Sequence, residues 1–421
     1  MKPICIESSK LQGLLALPTS KSLAHRAIIC ASLSKGVSVI GDVSMSKDIE
    51  ATIGCMRALG AHIVVEGSTV TIEGLSSFSK EAEMNCEESG STLRFMVPLA
   101  CVKGTKTHFT GKGQLGKRPL DIYYDIFDRE GISYSYKKDV LDLHVEGTLT
   151  PGTFHMRGDV SSQFITGLLF ALPLLEGESQ IVITTKLESK AYIDLTLQML
   201  EHFGITIINE NYERFIIPPH QQYHAANYNV EADFSQSAFF LVADAIGHDI
   251  TLTNMNLSSR QGDREIIPIL ERMGAKLIKT DEGYKMEAEE LKATTIDASQ
   301  VPDIIPALGV ACAFAKGTSH IINAQRLRIK ECDRLEATRI MLETCGVQVK
   351  ETEDSLTIVG QDTLHGGKLT SFNDHRMAMS EAILATRLTS PLEIDDALCV
   401  RKSYPHFFED YKKLGGQYHE C

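Results

Sequence analysis

The chain has 421 residues, of which 43% are hydrophobic and 23% charged, a balance typical of a globular protein with two or three domains. Its formal net charge of −13 disfavours a nucleic-acid-binding protein, which needs a basic surface. The ten cysteines are scattered, the N-terminal segment has no signal-peptide core, and no apolar run could span a bilayer, so we expect a cytoplasmic protein without structural zinc or a disulfide framework.

The first predicted helix begins near Ser22, in the stretch PTSKSLAHRAIIC of residues 18–30. Small hydroxyl side chains before it can cap its first backbone N–H groups. Lys21 and Arg26 lie in or near its first turns, where the helix dipole disfavours cations and favours anions. The stretch therefore predicts a helix start that binds an anion, although an ordinary capped helix also explains these residues.

Five further apolar helices follow, and each leads through a glycine or a short turn into a β-rich strand. They are predicted to begin near residues 91, 162, 235, 303 and 374. Between them, an amphipathic helix closed by a glycine opens a two-strand hairpin, at Gly60, Gly131, Gly204, Gly274, Gly346 and, in truncated form, Gly416. Because these glycines recur every 70 to 73 residues, the chain is predicted to be six helix–strand–helix–strand–strand units. This pattern indicates an α/β fold with two pseudo-symmetric domains of three units each.

The starts of the repeated helices carry an unusual set of small, cationic and acidic residues. They are Lys21, Ser22 and Arg26; Ser89, Gly90, Ser91 and Arg94; Ser161, Ser162 and Gln163; Asp303; and Asn373, Asp374, His375 and Arg376. Small residues at a helix N-terminus let an anion approach its free N–H groups, and arginine adds a bidentate clamp. Each group alone is also explained by helix capping, but together they predict several anion cradles around a common centre.

The segment LRIKECDRLEATR, residues 327–339, adds a carboxylate flanked by cations. Arg334 follows Lys330 by four residues and Glu331 by three, which predicts that all three share one face of a helix. Such a carboxylate can transfer protons, whereas the structural alternative is a solvated charged face. The sequence has no serine-protease-like triad, P-loop or GxGxxG motif and no histidines with metal-ligand spacing, so we expect no metal.

Nine short segments carry a more specific signal when they are read in chain order. They are SKSLAHR (20–26), SGSTLR (89–94), GKRPL (116–120), DVSSQF (159–164), SKAYID (189–194), VPD (301–303), RIKECDR (328–334), NDHRMAM (373–379) and VRKSYPHFF (400–408). Together they resemble the enolpyruvyl transferases, and within them the EPSP synthase branch, over the whole chain. The resemblance implies transfer of the enolpyruvyl group of phosphoenolpyruvate to the 5-hydroxyl of shikimate 3-phosphate, through a tetrahedral intermediate and without a cofactor.

The resemblance also implies which residues form the site. Those implied to hold shikimate 3-phosphate are Lys21, Ser22, Arg26, Ser161, Ser162, Gln163, Ser189, Tyr192, Asp303 and Lys330. Those implied to hold phosphoenolpyruvate are Lys21, Gly90, Arg94, Arg118, Gln163, Glu331, Arg334, Arg376 and Lys402. The implied catalytic residues are Asp303, Glu331, Lys21, Lys402 and His375. Asp303 would accept the hydroxyl proton, and Glu331 would handle the proton at C3 of phosphoenolpyruvate.

The family fold implies two domains, hinged around a central cleft, with the chain crossing between them twice. Residues 1–18 and 232–421 are expected to form the domain with the acid/base residues and the phosphoenolpyruvate clamp. Residues 19–231 are expected to form the domain with most of the shikimate 3-phosphate contacts. We therefore expect a monomer that closes on its small-molecule substrates, with neither nucleic acid nor a membrane as a partner.

The chain departs from the family pattern in two places, residues 88–91 and Arg326, and three other interpretations compete with this one. Many members have Asn-Ala-Gly-Thr in place of residues 88–91 and a small polar or acidic residue in place of Arg326, so Glu88 and Arg326 leave the response to glyphosate open. The sister UDP-N-acetylglucosamine enolpyruvyl transferases usually carry a reactive cysteine at the loop that here reads GKGQLGKRPL, which has none. A non-catalytic anion-binding repeat protein would lack the acid/base pair or the clamp cations. The related RNA-phosphate cyclases would need a nucleotide-linked histidine and a more basic surface.

Overall fold

The described chain divides into two compact units. The computed structural model describes residues 3–421. One unit consists of the chain up to Pro18 together with Glu231–Cys421, and the other is Thr19–Val230. The sequence places the second boundary one residue later, between residues 231 and 232. Among the described residues, no helix is long and apolar enough to cross a membrane.

Twelve α-helices form within residues 3–421. They are α1 (Lys21–Leu33), α2 (Lys47–Leu59), α3 (Gly90–Ala100), α4 (Asp121–Glu130), α5 (Ser162–Ala171), α6 (Lys190–His202), α7 (Phe234–Ala245), α8 (Ile266–Arg272), α9 (Ile305–Ala313), α10 (Arg334–Thr344), α11 (His375–Ala385) and α12 (Phe407–Lys413). Short 3-10 helices cover Leu115–Lys117, Leu172–Leu174, Gly262–Glu265, Gln325–Ile329 and Ala397–Lys402.

Twenty-four short strands form in the same described part of the chain. They are β1 (Ile4–Glu7), β2 (Gln12–Leu15), β3 (Val37–Gly41), β4 (His62–Glu66), β5 (Thr69–Glu73), β6 (Glu81–Asn85), β7 (Lys106–Thr110), β8 (Ser133–Tyr136), β9 (Asp142–Glu146), β10 (Thr153–Met156), β11 (Ser179–Ile183), β12 (Ile208–Glu210), β13 (Arg214–Ile217), β14 (Tyr228–Asn229), β15 (Asp249–Leu252), β16 (Lys276–Lys279), β17 (Tyr284–Glu287), β18 (Thr295–Asp297), β19 (Thr318–Ile322), β20 (Gln348–Glu351), β21 (Leu356–Val359), β22 (Lys368–Thr370), β23 (Leu392–Asp395) and β24 (Gln417–Glu420).

The odd-numbered helices are the repeated apolar helices, and each begins within two residues of its predicted start. Their side chains are almost entirely buried; in α9, for example, all nine residues are buried. In one unit α7, α9 and α11 pack against one another, and in the other α3 packs against α5. The hydrophobic effect therefore holds these helices inside each unit, as their uninterrupted apolar character predicts.

The strands form six four-stranded sheets in the part of the chain that the structure describes. In the sheet β6-β7-β9-β8, the strands β6 and β7 are parallel and are joined through the buried helix α3. The strand β9 is antiparallel to both of its neighbours, and the amphipathic helix α4 leads into the hairpin β8–β9. The repeat and the α/β class are confirmed, but each of the six repeats has one more strand than the pattern predicts.

In every repeat, the strand that the pattern does not predict comes just before the buried helix. In β6 the sequence EAEMN alternates polar and apolar residues but has no β-branched or aromatic side chain, so its strand propensity is low. The strand β14 is only two residues long. Pairing with a parallel neighbour, which a local sequence pattern does not encode, decides the conformation of these segments.

The first two strands of the chain complete sheets that are otherwise built from much later residues. The strand β2 pairs in parallel with β15, and β1 lies between β23 and β24. The truncated hairpin at Gly416 therefore obtains its second strand from the N-terminal segment. Cys5 and Cys421 form a disulfide at this pairing, which the expectation of a chain without a disulfide framework did not foresee. The two are 416 positions apart, and only the contact between β1 and β24 brings them together.

Candidate active site

Arg334 is the centre of a charged cluster in the unit that contains Glu231–Cys421. Its side chain is 1% exposed, and its guanidinium contacts three carboxylates. Nε lies 2.7 Å from Asp374 Oδ2, Nη1 lies 2.9 Å from Asp303 Oδ1, and Nη2 lies 2.6 Å from Glu331 Oε2. Burial alone would lower the pKa of Arg334, but the three carboxylates together raise that pKa well above its usual value. The arginine is therefore charged at any working pH and fixes the positions of all three acids.

Helix starts explain why these acids lie where they do. Asp374 caps α11 by accepting a hydrogen bond from the Arg376 backbone N–H at 2.9 Å, and its side chain is fully buried. Asp303 lies two residues before α9 and receives two more cations, Lys330 at 3.3 Å and Arg376 at 3.4 Å. Arg376 Nη1 also donates to the Asp303 carbonyl oxygen at 3.0 Å. Three cations thus surround one carboxylate at the N-terminal end of a buried helix.

Lys330 and Glu331 do not share a helix face with Arg334, contrary to the prediction. The helix α10 begins only at Arg334, because Asp333 caps it and accepts from the Glu336 backbone N–H at 3.0 Å. Lys330 and Glu331 lie in the turn before it and reach Arg334 and Asp303 from there. The Asp-x-x-Glu spacing of residues 333–336 is a capping signal that could have placed this boundary.

Lys402 and His375 belong to the same unit. Lys402 ends a 3-10 helix, and its Nζ donates to the Asn373 carbonyl oxygen at 2.5 Å. Phe372 and Asn373 both have φ of 53°, a left-handed conformation that costs about 1 kcal/mol or more for such residues. His375 opens α11, is 2% exposed, and has its Nδ1 3.8 Å from Asp374 Oδ1. This strained turn therefore contacts Lys402 through the Asn373 carbonyl and leads directly into the helix that His375 opens.

Asp263 is a buried acid that the sequence interpretation missed. It lies in the 3-10 helix Gly262–Glu265, is 3% exposed, and accepts a hydrogen bond from Ser235 Oγ. Burial raises its pKa to about 6, with a further increase from Asp303 and an opposing effect of Arg376. No motif marks this aspartate in the sequence, because its proximity to Asp303 and Arg376 arises only from the packing of the unit.

Lys21 opens α1 in the unit Thr19–Val230 and pairs with a residue that the sequence interpretation missed. Its Nζ lies 2.7 Å from Asp48 Oδ2, on α2. Ser20 caps the helix through a hydrogen bond from the Leu23 backbone N–H. The Asp48 carboxylate therefore offsets the unfavourable position of a cation at the helix N-terminus.

Arg26 lies one turn further along α1 and is held by three oxygen atoms. Nε donates to Thr196 Oγ1 at 2.9 Å, Nη1 to the Ser22 carbonyl at 2.7 Å, and Nη2 to the Tyr192 carbonyl at 3.0 Å. Burial lowers its pKa to about 10, so the side chain remains charged at neutral pH. Arg26 thus joins the start of α1 to α6, where Tyr192 lies just after the buried Ser189.

Arg94, Gln163 and Gly90 form a second group in this unit. Arg94 Nη1 donates to Gln163 Oε1 at 2.8 Å, and Gln163 Nε2 donates to Ser91 Oγ at 2.9 Å. A Cβ atom on Gly90 would lie 2.4 Å from Arg118 Nη1 and 2.9 Å from Arg94 Nη1. The two guanidinium groups therefore approach the start of α3 so closely that a larger residue at position 90 would displace them.

The remaining predicted residues lie at the starts of α5 and α6 or beside the groups described. Ser161 caps α5 by accepting from the Gln163 backbone N–H at 3.3 Å, and Ser162 is its first helical residue. Glu88 packs against Gly113, where an added Cβ would lie 2.5 Å from Glu88 Oε2. Arg326 is buried and lies close enough to lower the pKa of Lys330. The structure thus groups the predicted residues into two sets, one in each unit.

A family model described as EPSP synthase (3-phosphoshikimate 1-carboxyvinyltransferase) matches residues 6–411. The chain belongs to the EPSP synthase family. A 3-phosphoshikimate 1-carboxyvinyltransferase from Clostridium botulinum (strain Alaska E43 / Type E3) is 52% identical over 423 residues, which cover 99% of this chain and 98% of the relative. One from Clostridioides difficile (strain 630) is 50% identical over 434 residues, which cover 100% of this chain and 99% of the relative. The resemblance to this family that the sequence motifs indicate is confirmed.

Solved structures agree with the EPSP synthase family at the level of the fold. The EPSP synthase from Acinetobacter baumannii superposes with a TM-score of 0.80 at 25% identity, with all of both chains covered. The enolpyruvyl transferase NikO from Streptomyces tendae gives a TM-score of 0.78 at 16% identity, over 100% of this chain and 99% of that chain. At this identity the second likeness concerns the fold alone.

Proposed function

We propose that this chain transfers the enolpyruvyl group of phosphoenolpyruvate to the 5-hydroxyl of shikimate 3-phosphate, releasing phosphate and 5-enolpyruvylshikimate 3-phosphate. The observation that carries the proposal is the contact of one buried arginine, Arg334, with two acids, Asp303 and Glu331, at 2.9 and 2.6 Å. The chain that carries both acids belongs to a family whose members are named for this reaction. In this proposal Asp303 supplies the base and Glu331 the acid that an addition followed by an elimination requires.

The proposed reaction has two stages. In the addition, Asp303 accepts the proton of the 5-hydroxyl while the oxygen attacks C2 of phosphoenolpyruvate, and Glu331 donates a proton to C3. In the elimination, Glu331 takes a proton back from C3, the double bond re-forms, and phosphate leaves C2 and takes up the proton that Asp303 accepted, which restores the Asp303 carboxylate. Lys21 and Lys402 are proposed to support these steps, since cations near C2 and the leaving phosphate stabilise the charge that develops there. His375 is proposed to support the site beside them.

Substrate binding is proposed to use residues of both units. Shikimate 3-phosphate is assigned to Lys21, Ser22, Arg26, Ser161, Ser162, Gln163, Ser189, Tyr192, Asp303 and Lys330. Phosphoenolpyruvate is assigned to Lys21, Gly90, Arg94, Arg118, Gln163, Glu331, Arg334, Arg376 and Lys402. What supports the assignment is chemical: buried cations held by carbonyl, hydroxyl and amide groups are pre-organised for phosphate and carboxylate. The proposal includes a cytoplasmic monomer that needs no cofactor.

The test is release of phosphate by the purified protein from phosphoenolpyruvate, in separate reactions with shikimate 3-phosphate and with UDP-N-acetylglucosamine. We expect release only with shikimate 3-phosphate. Release only with the UDP sugar would assign the chain to the sister reaction instead. Binding of both ligands without release would show that the chain binds the substrates but does not catalyse the reaction.

The pH dependence of shikimate 3-phosphate binding should report Lys330. Burial lowers the pKa of Lys330 to about 8, against the opposing effect of Asp303, so the side chain is charged below that pH and neutral above it. The KM for shikimate 3-phosphate should therefore rise as the pH increases from 8 to 9.5. In the Lys330→Arg variant, arginine stays charged throughout, and this rise should be absent. An identical KM profile in both proteins would remove Lys330 from the binding site.

Substitution of Gly90 by alanine should weaken phosphoenolpyruvate binding. The added Cβ would lie 2.8 Å from Arg118 Cζ, and a flexible guanidinium moves more easily than the helix backbone. Loss of one charge-assisted hydrogen bond raises KM for phosphoenolpyruvate by roughly 10-fold or more, with kcat less affected. Gly54→Ala is the matched control, since a Cβ on this α2 glycine meets nothing within 4 Å. Equal KM values for the two variants would contradict the prediction.

A further inference from the structure

One row of side chains crosses the sheet β6-β7-β9-β8 in the unit Thr19–Val230. Glu83 on β6 is paired in register with His108 on β7, and His108 is paired with His144 on β9. Asp142 precedes His144 by two residues on the same strand, so both project from the same face. The strand pairing therefore collects two imidazoles and two carboxylates from three strands.

The two histidine rings stack face to face, with both Nε2 atoms beside one carboxylate oxygen, so the exposed His144 ring must turn for both lone pairs to reach one ion. They are stacked with their centroids 4.1 Å apart and an interplanar angle of 5°. His108 Nε2 lies 2.9 Å from Asp142 Oδ1, and His144 Nε2 lies 3.3 Å from the same oxygen. A tetrahedral ion with bonds of about 2.0–2.1 Å places its ligand atoms about 3.3 Å apart, close to this spacing.

The surrounding groups prepare these atoms to act as ligands. His108 Nδ1 lies 2.8 Å from Glu83 Oε2, a carboxylate oxygen that can accept the N–H of that nitrogen and orient the ring when Nε2 binds an ion. Lys137 Nζ donates to Asp142 Oδ2, which leaves Oδ1 toward the two rings. An ion bound between the three atoms would replace the contact that each ring now makes with Asp142 Oδ1.

We propose that His108 Nε2, His144 Nε2 and Asp142 Oδ1 bind a divalent transition-metal ion of the zinc class, with solvent completing the coordination. Two imidazoles and one carboxylate favour such an ion over Mg²⁺ or Ca²⁺, which prefer oxygen ligands. The three ligand atoms all lie within 4.8 Å of one another, and solvent reaches the site because His144 is 58% exposed. The ion would join β7 to β9 and stabilise the folded unit by mass action.

This site was invisible in the sequence and is separate from the proposed catalytic residues. His108 and His144 are 36 positions apart, a spacing that no metal motif contains. A second group of potential ligands, Cys5, His419 and Cys421, also occurs among the described residues. Its two cysteines form the disulfide, so it binds a metal only after reduction. Metal binding is therefore best measured on the oxidised protein.

The experiment is titration of the oxidised protein with Zn²⁺ by calorimetry, followed by X-ray absorption of the bound zinc. We expect one equivalent to bind, with two imidazole ligands and no sulfur. His108→Ala and His144→Ala should each weaken binding at least 10-fold. Glu83→Gln should weaken it roughly 10-fold, as for other groups that orient a metal-bound histidine. His155→Ala, which removes another exposed strand histidine from the same unit, is the control and should bind as the unchanged protein does.

Several results would overturn the proposal. They are unchanged affinity in both His108→Ala and His144→Ala, sulfur ligands in the absorption spectrum, or no binding below millimolar Zn²⁺. The absorption measurement on the unchanged protein decides the matter even if a variant fails to fold. Phosphate release should be the same in the His144→Ala variant, since neither histidine belongs to the substrate-binding set.

Discussion

Glu331→Gln should lower kcat by about 10²–10⁴-fold, the usual contribution of a positioned acid or base. The amide keeps the size of the side chain and can still accept a hydrogen bond from Arg334, whose Nη2 lies 2.6 Å from Glu331 Oε2 in the unchanged protein. The amide cannot donate a proton to C3 of phosphoenolpyruvate or remove one. Shikimate 3-phosphate should still bind with nearly unchanged affinity, because Glu331 is not among the residues assigned to it. Steady-state kinetics together with calorimetric titration of shikimate 3-phosphate measure the two effects separately.

The matched control for this variant is Glu336→Gln. Glu336 is exposed on the first turn of α10, five residues away, and carries the same charge. If both variants lose only a few-fold in kcat, Glu331 does not transfer the proton. If Glu331→Gln abolishes shikimate 3-phosphate binding as well, its role is to shape the pocket rather than to catalyse.

Asp374→Ala should be among the most destabilising substitutions in the chain. Asp374 is fully buried, and its loss leaves the buried Arg334 guanidinium without the partner of its Nε. Removing one member of a buried ion pair costs about 3–5 kcal/mol, and loss of the α11 cap adds about 1 kcal/mol. Asp374→Asn should cost less, since the amide oxygen can still cap the helix. The free energy of unfolding from urea titration measures the loss.

Asp333→Ala separates the two contributions to that loss. Asp333 caps α10 as Asp374 caps α11, but its side chain is 30% exposed and pairs with Arg328 on the surface. It should therefore cost about 1 kcal/mol, the usual value of a cap. An Asp374→Ala variant as stable as Asp333→Ala would show that Arg334 does not depend on the buried pair.

Local patterns were sufficient to predict the repeat. The six buried helices follow from apolar runs behind capping residues, and the hairpins follow from glycines such as Gly131, whose φ of 68° ends its helix in a left-handed conformation. These signals depend on residues that are close together in the chain, so they can be recognised in a single sequence. The motifs that resemble the family then indicated most of the charged residues now seen in contact.

Contacts between distant segments could not be predicted in the same way. Asp48 meets Lys21 from 27 residues away, and Asp374 meets Arg334 from 40 residues away. Which acid meets which cation depends on how separate helices pack, and neither propensity nor periodicity contains that information. The same limit explains the missed Asp263, the missed parallel strands, the Cys5–Cys421 disulfide and the histidine pair on β7 and β9.

The position of β1 between β23 and β24 has a consequence for synthesis on the ribosome. The segment Thr19–Val230 is continuous and holds three complete sheets, so it can fold while the remainder of the chain is still being translated. The strand β1 is translated long before its partners β23 and β24, and β2 long before β15. We therefore expect β1 to stay exposed to chaperones and proteases on the nascent chain until β23 and β24 have been translated.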